Sequence, residues 1–246
     1  RSIVKRGRLP LNNSKKGLRG LMAALGMLLI VPALMLGAFD RYALDGAYHR
    51  QLYAALDSAR AAGVDETALS GIGDMLVDYL KGAREDLNMT AAVNGAAQKV
   101  FNEREIAHME DVRALFQLER RIGAALAALG LVLLAAGLPG EGWARRLTRA
   151  GLIGQTFWLA LLLFLGIWAA ADFDGAFRSF HAALFSNDLW LLNPETDLMI
   201  RMLPEKFFAA VAVHALGGVL IVQAVLACAW GLPAAIARRA RRKETT

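Results

Sequence analysis

Four long runs of apolar residues dominate the pattern of the chain. They cover residues 20–39, 122–138, 151–171 and 207–232, and none of them contains Asp, Glu, Lys or Arg. A helix that crosses the hydrocarbon core needs about 20 apolar residues, with about 17–25 tolerated. Helices of soluble proteins carry a polar stripe, which these runs lack. The pattern therefore predicts an all-α integral membrane protein with four transmembrane helices.

Composition agrees with this prediction. Hydrophobic residues make up 56% of the chain and charged residues 20%, against about 45–50% and about 25% in soluble domains. The single cysteine, Cys228, excludes an intramolecular disulfide. The first run exceeds the 7–15 apolar residues of a signal peptide and precedes no A-x-A site, so we expect an uncleaved span. The chain opens at Arg1 without methionine, and we expect at least one preceding residue.

The charges between the runs predict the orientation. Segments 1–19, 139–150 and 233–246 together hold fifteen basic and two acidic residues, whereas segments 40–121 and 172–206 hold the other twenty acids. Basic residues stay in cytoplasmic loops, so both termini are predicted to be cytoplasmic. The net charge of +6 is then an orientation signal that also attracts anionic lipid, and we expect no nucleic-acid partner.

The two outer segments are predicted to form a mostly helical extracytoplasmic cap. Asp65 begins a capped amphipathic helix, and residues 40–62 form another. A helix from about Phe101 runs toward the second span. The shorter segment contains a helical piece at 177–185, a helix start at Asn193 followed by Pro194, and Pro204 ahead of the fourth span.

Two histidines in these outer segments have unusual neighbours. Glu105, His108 and Asp111 are three residues apart and share a helical face, where a carboxylate can orient an imidazole and favour its charged form. A solvated charged face would show the same pattern. The other histidine, His181, has aromatic neighbours, which suit either a membrane-interface belt or a pocket for acyl chains: Phe177, Phe180, Phe185 and Trp190.

These segments resemble the bacterial lipoprotein intramolecular transacylases. The resemblance covers roughly residues 19–231 and matches the order of spans and loops. The matching residues are the run FNEREIAHMEDVRALF (101–116), Phe180-His181, Trp190, Pro194, Asp197, Pro204 and Phe207-Phe208. It implies four spans in the bacterial cytoplasmic membrane, an active site on the extracytoplasmic side, and a catalytic pair formed by His108 and His181.

The resemblance also implies the reaction. An acyl chain moves from the sn-2 oxygen of a lipoprotein's diacylglyceryl-cysteine to the α-amine of that cysteine, which gives the lyso form. One histidine can take a proton from the amine and the other can give one to the glyceryl oxygen. Such an enzyme needs no cofactor or metal. We expect a monomer that binds membrane lipid and diacylglyceryl lipoproteins. The supporting residues are predicted to be Arg104, Glu105 and Asp111, and the substrate-binding residues Phe101, Phe180, Phe185 and Trp190.

Other functions remain open from the residues alone. Glu105, His108 and His181 could bind zinc in a metal-dependent membrane hydrolase. Ser179 or Ser186 could be a nucleophile, whereas Cys228 is predicted at the cytoplasmic end of its span. A non-enzymatic scaffold or sensor is the third alternative. If the helix from Phe101 continues unbroken into the second span, His108 lies roughly 20 Å above the hydrocarbon edge.

Overall fold

The computed structural model describes the backbone of residues 11–243 and the side chains of residues 14–230. Most of the predicted basic segment 1–19 and the side chains of the predicted tail 233–246 lie outside the described residues. In chain order, the elements are α1 (Leu11–Ala43), α2 (Gly46–Ala55), α3 (Ser58–Ala62), α4 (Glu66–Lys81), β1 (Thr90–Val93), β2 (Ala96–Lys99), α5 (Glu103–Gly137), α6 (Trp143–Ala171), α7 (Phe173–Leu184), α8 (Leu198–Met202) and α9 (Glu205–Lys243).

Four of the described helices are long and apolar enough to cross a membrane. They are α1, α5, α6 and α9, over Ser14–Ala43, Glu103–Gly137, Trp143–Ala171 and Glu205–Trp230. Large apolar side chains such as Val132, Phe164 and Ile167 point outward from them. Helices suit this environment because each backbone amide finds its partner within the segment, where no water is available. The predicted fold class of four transmembrane helices is confirmed.

The chain divides into two compact units. The first contains residues through Met35, then Gly123–Leu162, and the chain from Val222 onward, and the second contains Leu36–Ile122 and Leu163–Ile221. The second unit holds all the short elements, α2–α4, the two strands, α7 and α8. Of these short elements only β1 and β2 are not helical, which agrees with a mostly helical cap.

The second unit has its own apolar core, centred on α4. Asp65 begins this helix as predicted, because its carboxylate accepts a hydrogen bond from the Ala68 amide at 2.7 Å. The apolar face of α4 packs with residues from α2, α5, α8 and α9. The buried residues include Leu69, Ile72, Met75 and Leu76 of α4, with Tyr53, Met109, Met202 and Phe207.

Some local predictions for the second unit were wrong. Residues 40–62 do not form one helix, because α1 ends at Ala43 and α2 is separated from α3 by Asp57, which has a φ of 53°. Asn193 does not begin a helix either, since its side chain closes a turn by accepting the Glu195 amide, and α8 starts only after Asp197. The sequence also gave no expectation of strands. Asn94 and Gly95 connect them with φ values of 52° and 81°, the geometry of a type I′ hairpin turn.

Small residues allow the helices of the first unit to approach closely. A Cβ on Gly26 of α1 would lie 2.9 Å from the carbonyl oxygen of Gly130 on α5. Polar side chains add hydrogen bonds between helices, because Gln155 donates to the Gln223 carbonyl at 2.6 Å and Trp158 to the Leu28 carbonyl at 2.9 Å. Close backbone packing and interhelical hydrogen bonds are the usual means of association in lipid, where burial alone provides no driving force.

We expect Gly26→Ala to destabilise the protein in detergent. The added methyl group meets backbone on α5, which cannot move away, and overpacking of this kind costs about 1–3 kcal/mol. Gly20→Ala on the same helix is the matched control, because a Cβ there has nothing within 4 Å, and alanine favours a helix over glycine by about 1 kcal/mol. Thermal unfolding of both variants is the measurement, and equal midpoints would contradict this packing.

Candidate active site

The second unit brings His108 of α5 and His181 of α7 together. Their ring centroids are 6.2 Å apart, with 35° between the ring planes. Both side chains are buried, with 7% and 9% of their surface exposed. Two protonated rings at this separation would repel each other in a buried setting, so the geometry favours at least one neutral ring. Buried and adjacent imidazoles provide two groups that can exchange protons with one bound molecule.

The hydrogen bonding of His181 determines which ring nitrogen carries its proton. Nδ1 lies 2.8 Å from the carbonyl oxygen of Phe177, one helical turn earlier. A carbonyl can only accept, so Nδ1 donates, and in the neutral ring Nε2 keeps a free lone pair. Burial lowers the pKa of His181 below its usual value of 6.5, and the hydrogen bond to Phe177 offsets this only in part. At neutral pH this ring is therefore a proton acceptor.

His108 has a different environment. Its Nδ1 is buried and has no hydrogen-bond partner among the described residues. The nearest ring is that of Phe185, which meets it edge-on at a centroid distance of 5.4 Å. A buried nitrogen without a partner is unusual in native proteins, and it marks a position where a bound molecule can form the missing hydrogen bond.

Aromatic rings surround the His181 side of the site. Phe177 lies 4.1 Å from the His181 ring, Trp190 5.1 Å and Phe180 5.5 Å, all measured between centroids. Phe185 contacts both histidines, at 5.4 Å and 5.7 Å. These walls match the apolar character of an acyl chain.

Phe177 and Phe208 form part of this wall, although neither was among the predicted substrate-binding residues. Phe208 packs against Phe177 at 5.3 Å. Phe177 precedes His181 by four residues and so lies on the same face of a helix, in agreement with its place among the aromatic neighbours of His181 in the sequence. Phe208 comes from the start of α9, and only the fold brings it here.

Phe101, in contrast, makes no ring contact with either histidine in the described part of the chain. It is buried with 2% exposure in the core of the second unit. It also lines a small cavity of about 160 Å³ together with Leu87, Met89 and Ile106. Ile106 precedes His108 by two residues and lies about 160° away from it around the helix, so this cavity faces away from the histidine pair.

Glu105 does not orient His108, despite the shared helical spacing. Its two carboxylate oxygens accept hydrogen bonds from the Asn102 amide at 2.8 Å and the Met199 amide at 2.7 Å. The side chain is 1% exposed. Glu105 therefore closes the first turn of α5 in the manner of a capping box and also ties α5 to α8. Both oxygens of Glu105 are therefore occupied, and this carboxylate is not available to bind zinc together with His108 and His181. Among the described residues, no group of three or more His, Cys, Asp or Glu side chains is placed to hold a metal ion.

Arg104 and Asp111 lie on either side of His108 along α5, and both bind the segment 185–192, which we call the strap. Arg104 donates to the carbonyl oxygen of Asp188 and lies 3.3 Å from its carboxylate. Asp111 accepts a hydrogen bond from the Asn187 side chain at 2.8 Å. The strap starts at Phe185 and includes Trp190, so these polar contacts hold two walls of the site in place.

The predicted nucleophiles are not arranged for covalent catalysis. Ser179 and Ser186 are exposed, and no hydrogen bond between His181 and a serine hydroxyl occurs among the described residues. Cys228 is exposed as well. Nucleophilic catalysis requires a base within hydrogen-bonding reach of the nucleophile.

Solved structures share this fold. The chain is similar to the membrane integral lipoprotein intramolecular transacylase Lit from Bacillus cereus, with 21% identity and a TM-score of 0.66 over 92% of this chain and 99% of that one. A variant of that protein with a histidine replaced by arginine gives 20% identity and a TM-score of 0.67, over 94% of this chain and 96% of the other. At this level of identity the likeness establishes the fold.

Sequence comparison establishes the family. A search of curated proteins gives no significant match. The family model described as lipoprotein intramolecular transacylase Lit matches residues 21–208, which is more than three quarters of the chain and contains both histidines. The chain therefore belongs to the lipoprotein intramolecular transacylase family.

Proposed function

We propose that this acyltransferase moves an acyl chain from the sn-2 oxygen of a diacylglyceryl-cysteine to the α-amine of the same cysteine. The observation that supports this most directly is the buried pair of imidazoles within an aromatic enclosure. An ester and an amine of one molecule can both reach such a pair when the substrate folds back on itself. The substrates are bacterial lipoproteins with a diacylglyceryl-modified first cysteine, and the protein acts on them as a monomer.

His181 is the base in this mechanism. Its Nε2 has a free lone pair, because Nδ1 donates to the Phe177 carbonyl. The amine nitrogen attacks the ester carbonyl, and His181 takes the proton that this nitrogen must lose. An α-ammonium group has a pKa of about 7.7–8.0, so at neutral pH a fraction of the substrate already carries the free amine that attacks the ester.

His108 is the acid. As the tetrahedral intermediate collapses, the bond from the carbonyl carbon to the glyceryl oxygen breaks, and His108 donates a proton to that oxygen. His181 first passes the proton that it took from the amine to His108, and this is the proton that His108 donates. The amine loses one proton and the glyceryl oxygen gains one, so both rings return to their starting protonation state. General acid–base catalysis of this kind contributes about 10²–10⁴-fold.

The aromatic walls provide the remaining rate enhancement by positioning. Phe180, Phe185 and Trp190 enclose an acyl chain and press the ester toward the amine. Effective molarities of about 10⁵ M and above are reached when two groups of one molecule are held in reacting geometry. No covalent acyl-enzyme is needed, because amine and ester already belong to the same substrate.

The histidines are tested by mass spectrometry of the N-terminal peptide of a reporter lipoprotein. We expect His108→Ala and His181→Ala each to lower conversion at least about a hundredfold, with folding in detergent retained. The transfer is intramolecular, so the peptide mass stays constant and only the fragment ions change from O-acyl to N-acyl cysteine.

Ser179→Ala and Ser186→Ala are the controls for that experiment. Both hydroxyls are exposed, and we expect wild-type conversion. A product lighter by one acyl chain would indicate a hydrolase, and a heavier product an intermolecular transferase. Either result, or full conversion by the double histidine variant, would overturn the proposed reaction.

Arg104 and Asp111 support the reaction through their contacts with the strap. We infer that they act by positioning Phe185 and Trp190, because their side chains bond to Asp188 and Asn187 of the strap. Asp111 then contributes as a hydrogen-bond acceptor. An orienting carboxylate for His108 would contribute through its negative charge.

Exchanging the side chains at positions 187 and 111 distinguishes a role in positioning the strap from a role that depends on the charge of Asp111. Asn187→Asp places two carboxylates against each other, and we expect kcat/KM to fall about tenfold, the equivalent of about 1.4 kcal/mol. Adding Asp111→Asn restores a hydrogen bond in the opposite direction, and most of the activity should return. If the double variant stays as impaired as Asn187→Asp alone, Asp111 is needed for its charge and the positioning role is wrong.

We also propose the orientation that the charges predict. Residues 20–39, 122–138, 151–171 and 207–232 are the spans, and segments 1–19, 139–150 and 233–246 are cytoplasmic. The histidine pair is then on the extracytoplasmic side, where lipoproteins are displayed. Fifteen basic residues in the three cytoplasmic segments support this assignment.

Reporter fusions test the orientation. A fusion within the loop near Gly82 should report an extracytoplasmic position, and one near Gly142 a cytoplasmic position, because the positive charges around Gly142 resist translocation. The two sites serve as controls for each other. A cytoplasmic signal from the fusion near Gly82 would overturn both the orientation and the side assigned to the site.

A further inference from the structure

Helix α7 has an apolar stripe, and only part of this stripe packs inward against the active site. Phe173, Phe177, Phe180 and Leu184 recur at intervals of three and four residues, which places them on one side of the helix. Of these, Phe177 packs inward against His181 and Phe208. Phe180 and Leu184 remain 52% and 44% exposed.

The other side of α7 is polar. Asp174 and Arg178 form an ion pair at 2.9 Å, one turn apart and both exposed. Ser179 and Ala182 are exposed as well. Beyond the helix, Leu191 of the strap adds a further apolar side chain with 50% exposure. A short helix with one charged face and one face of Phe and Leu has the composition of helices that lie in the plane of a membrane surface.

The apolar surface of α6 leads directly to this stripe. In the last two turns of α6, Ile167 is 70% exposed and Trp168 is 44% exposed. Only Asp172 separates α6 from α7, and its side chain caps α7 by accepting the Gly175 amide at 2.9 Å. The lipid-facing surface of a transmembrane helix thus continues along the chain onto the exposed part of α7.

We propose that the exposed stripe of α7, formed by Phe180 and Leu184, is seated among the acyl chains at the membrane surface. His181 lies on the inner edge of this same helix, next to Phe180. The stripe is then the entrance through which the acyl chain of a membrane-anchored substrate reaches the histidine pair. This part of the inference rests on the proposed function.

The location also answers a geometric question about the substrate. Helix α5 is unbroken from Glu103 to Gly137, and its first 19 residues are rich in charge, so His108 cannot lie among hydrocarbon chains. The reacting ester belongs to a lipid that stays anchored in the bilayer. Phe177 packs against the His181 ring and also contacts Phe208 at the start of the predicted fourth span, so an α7 that lies in the membrane surface keeps the apolar boundary beside His181. The aromatic walls then extend this boundary to His108, although α5 holds His108 fourteen residues ahead of the predicted second span.

Site-specific fluorescence quenching tests whether the exposed stripe of α7 lies among acyl chains, independently of enzymatic activity. In a Cys228→Ser background, Leu184→Cys is labelled with an environment-sensitive fluorophore in vesicles of phosphatidylcholine and phosphatidylglycerol. Ala182→Cys is the matched control, since it is exposed on the opposite face of the same helix. We expect brominated acyl chains to quench the label at 184 several-fold more than at 182, and aqueous iodide to show the reverse preference.

Two outcomes would contradict the proposed membrane contact of α7. Equal quenching of both positions by iodide would mean that the stripe faces water. Quenching of position 184 by neither agent would mean that protein covers it, either the polypeptide of a substrate or a second copy of the chain.

Enzyme kinetics in the same vesicles test whether the stripe is the entrance for the acyl chain of the substrate. We expect Leu184→Asn to raise KM for a diacylglyceryl lipopeptide several-fold with kcat unchanged, while Ala182→Asn behaves like the unchanged chain. Loss of kcat with constant KM would overturn the entrance role. If the unchanged chain does not convert the lipopeptide, the proposed function fails, and the quenching result still decides whether α7 lies in lipid.

Discussion

Transfer of a charged side chain into hydrocarbon is energetically unfavourable, and the organisation of this protein follows from that constraint. Four apolar runs form helices because a membrane-spanning segment must pair its own backbone amides. Twenty of the 22 acidic residues lie in the connecting segments 40–121 and 172–206, together with three of the four histidines. Any proton-transfer chemistry therefore has to be built where these connecting segments fold. The second compact unit, with its own apolar core around α4, provides that scaffold.

Buried polar contacts fix the site within this unit. Glu105 joins the start of α5 to α8 through two backbone amides, and Asp197 accepts hydrogen bonds from the Asn102 side chain at 2.8 Å and the Asn193 amide at 2.7 Å. A buried carboxyl group that accepts such bonds holds its neighbours in one arrangement, because losing a bond leaves a buried polar atom unsatisfied. These contacts set the position of α5, and hence of His108, relative to the segment that leads into α9.

The chemical character of the site comes from a small asymmetry. One imidazole has its Nδ1 bonded to a backbone carbonyl, and the other has a buried Nδ1 without a partner in the described chain. Rings of similar burial thus differ in which nitrogen is available. In the proposed reaction, this difference lets one ring take a proton from the amine while the other serves the glyceryl oxygen. A single histidine would have to serve both atoms in turn.

The sequence by itself determined the number of spans, the class of the fold and the family, because hydrophobic runs and local motifs are properties of neighbouring residues. It also identified His108 and His181 and most of the aromatic ring around them, since Phe180, Phe185 and Trp190 lie close to His181 along the chain. The turn at Asn94-Gly95 has a local signal as well, but the alanines on both sides of it are poor strand formers, so the sequence does not predict the strands.

Tertiary structure decided the roles of the polar residues. Helical spacing puts Glu105, His108 and Asp111 on one face, but a carboxylate bonds to whichever donor the fold brings nearest. For Glu105 that donor is the Met199 amide, and for Asp111 it is the Asn187 side chain, 94 and 76 residues away in the sequence. Phe208 joins the site for the same reason. Contacts over such separations depend on how the helices pack, and periodicity within one helix contains no information about them.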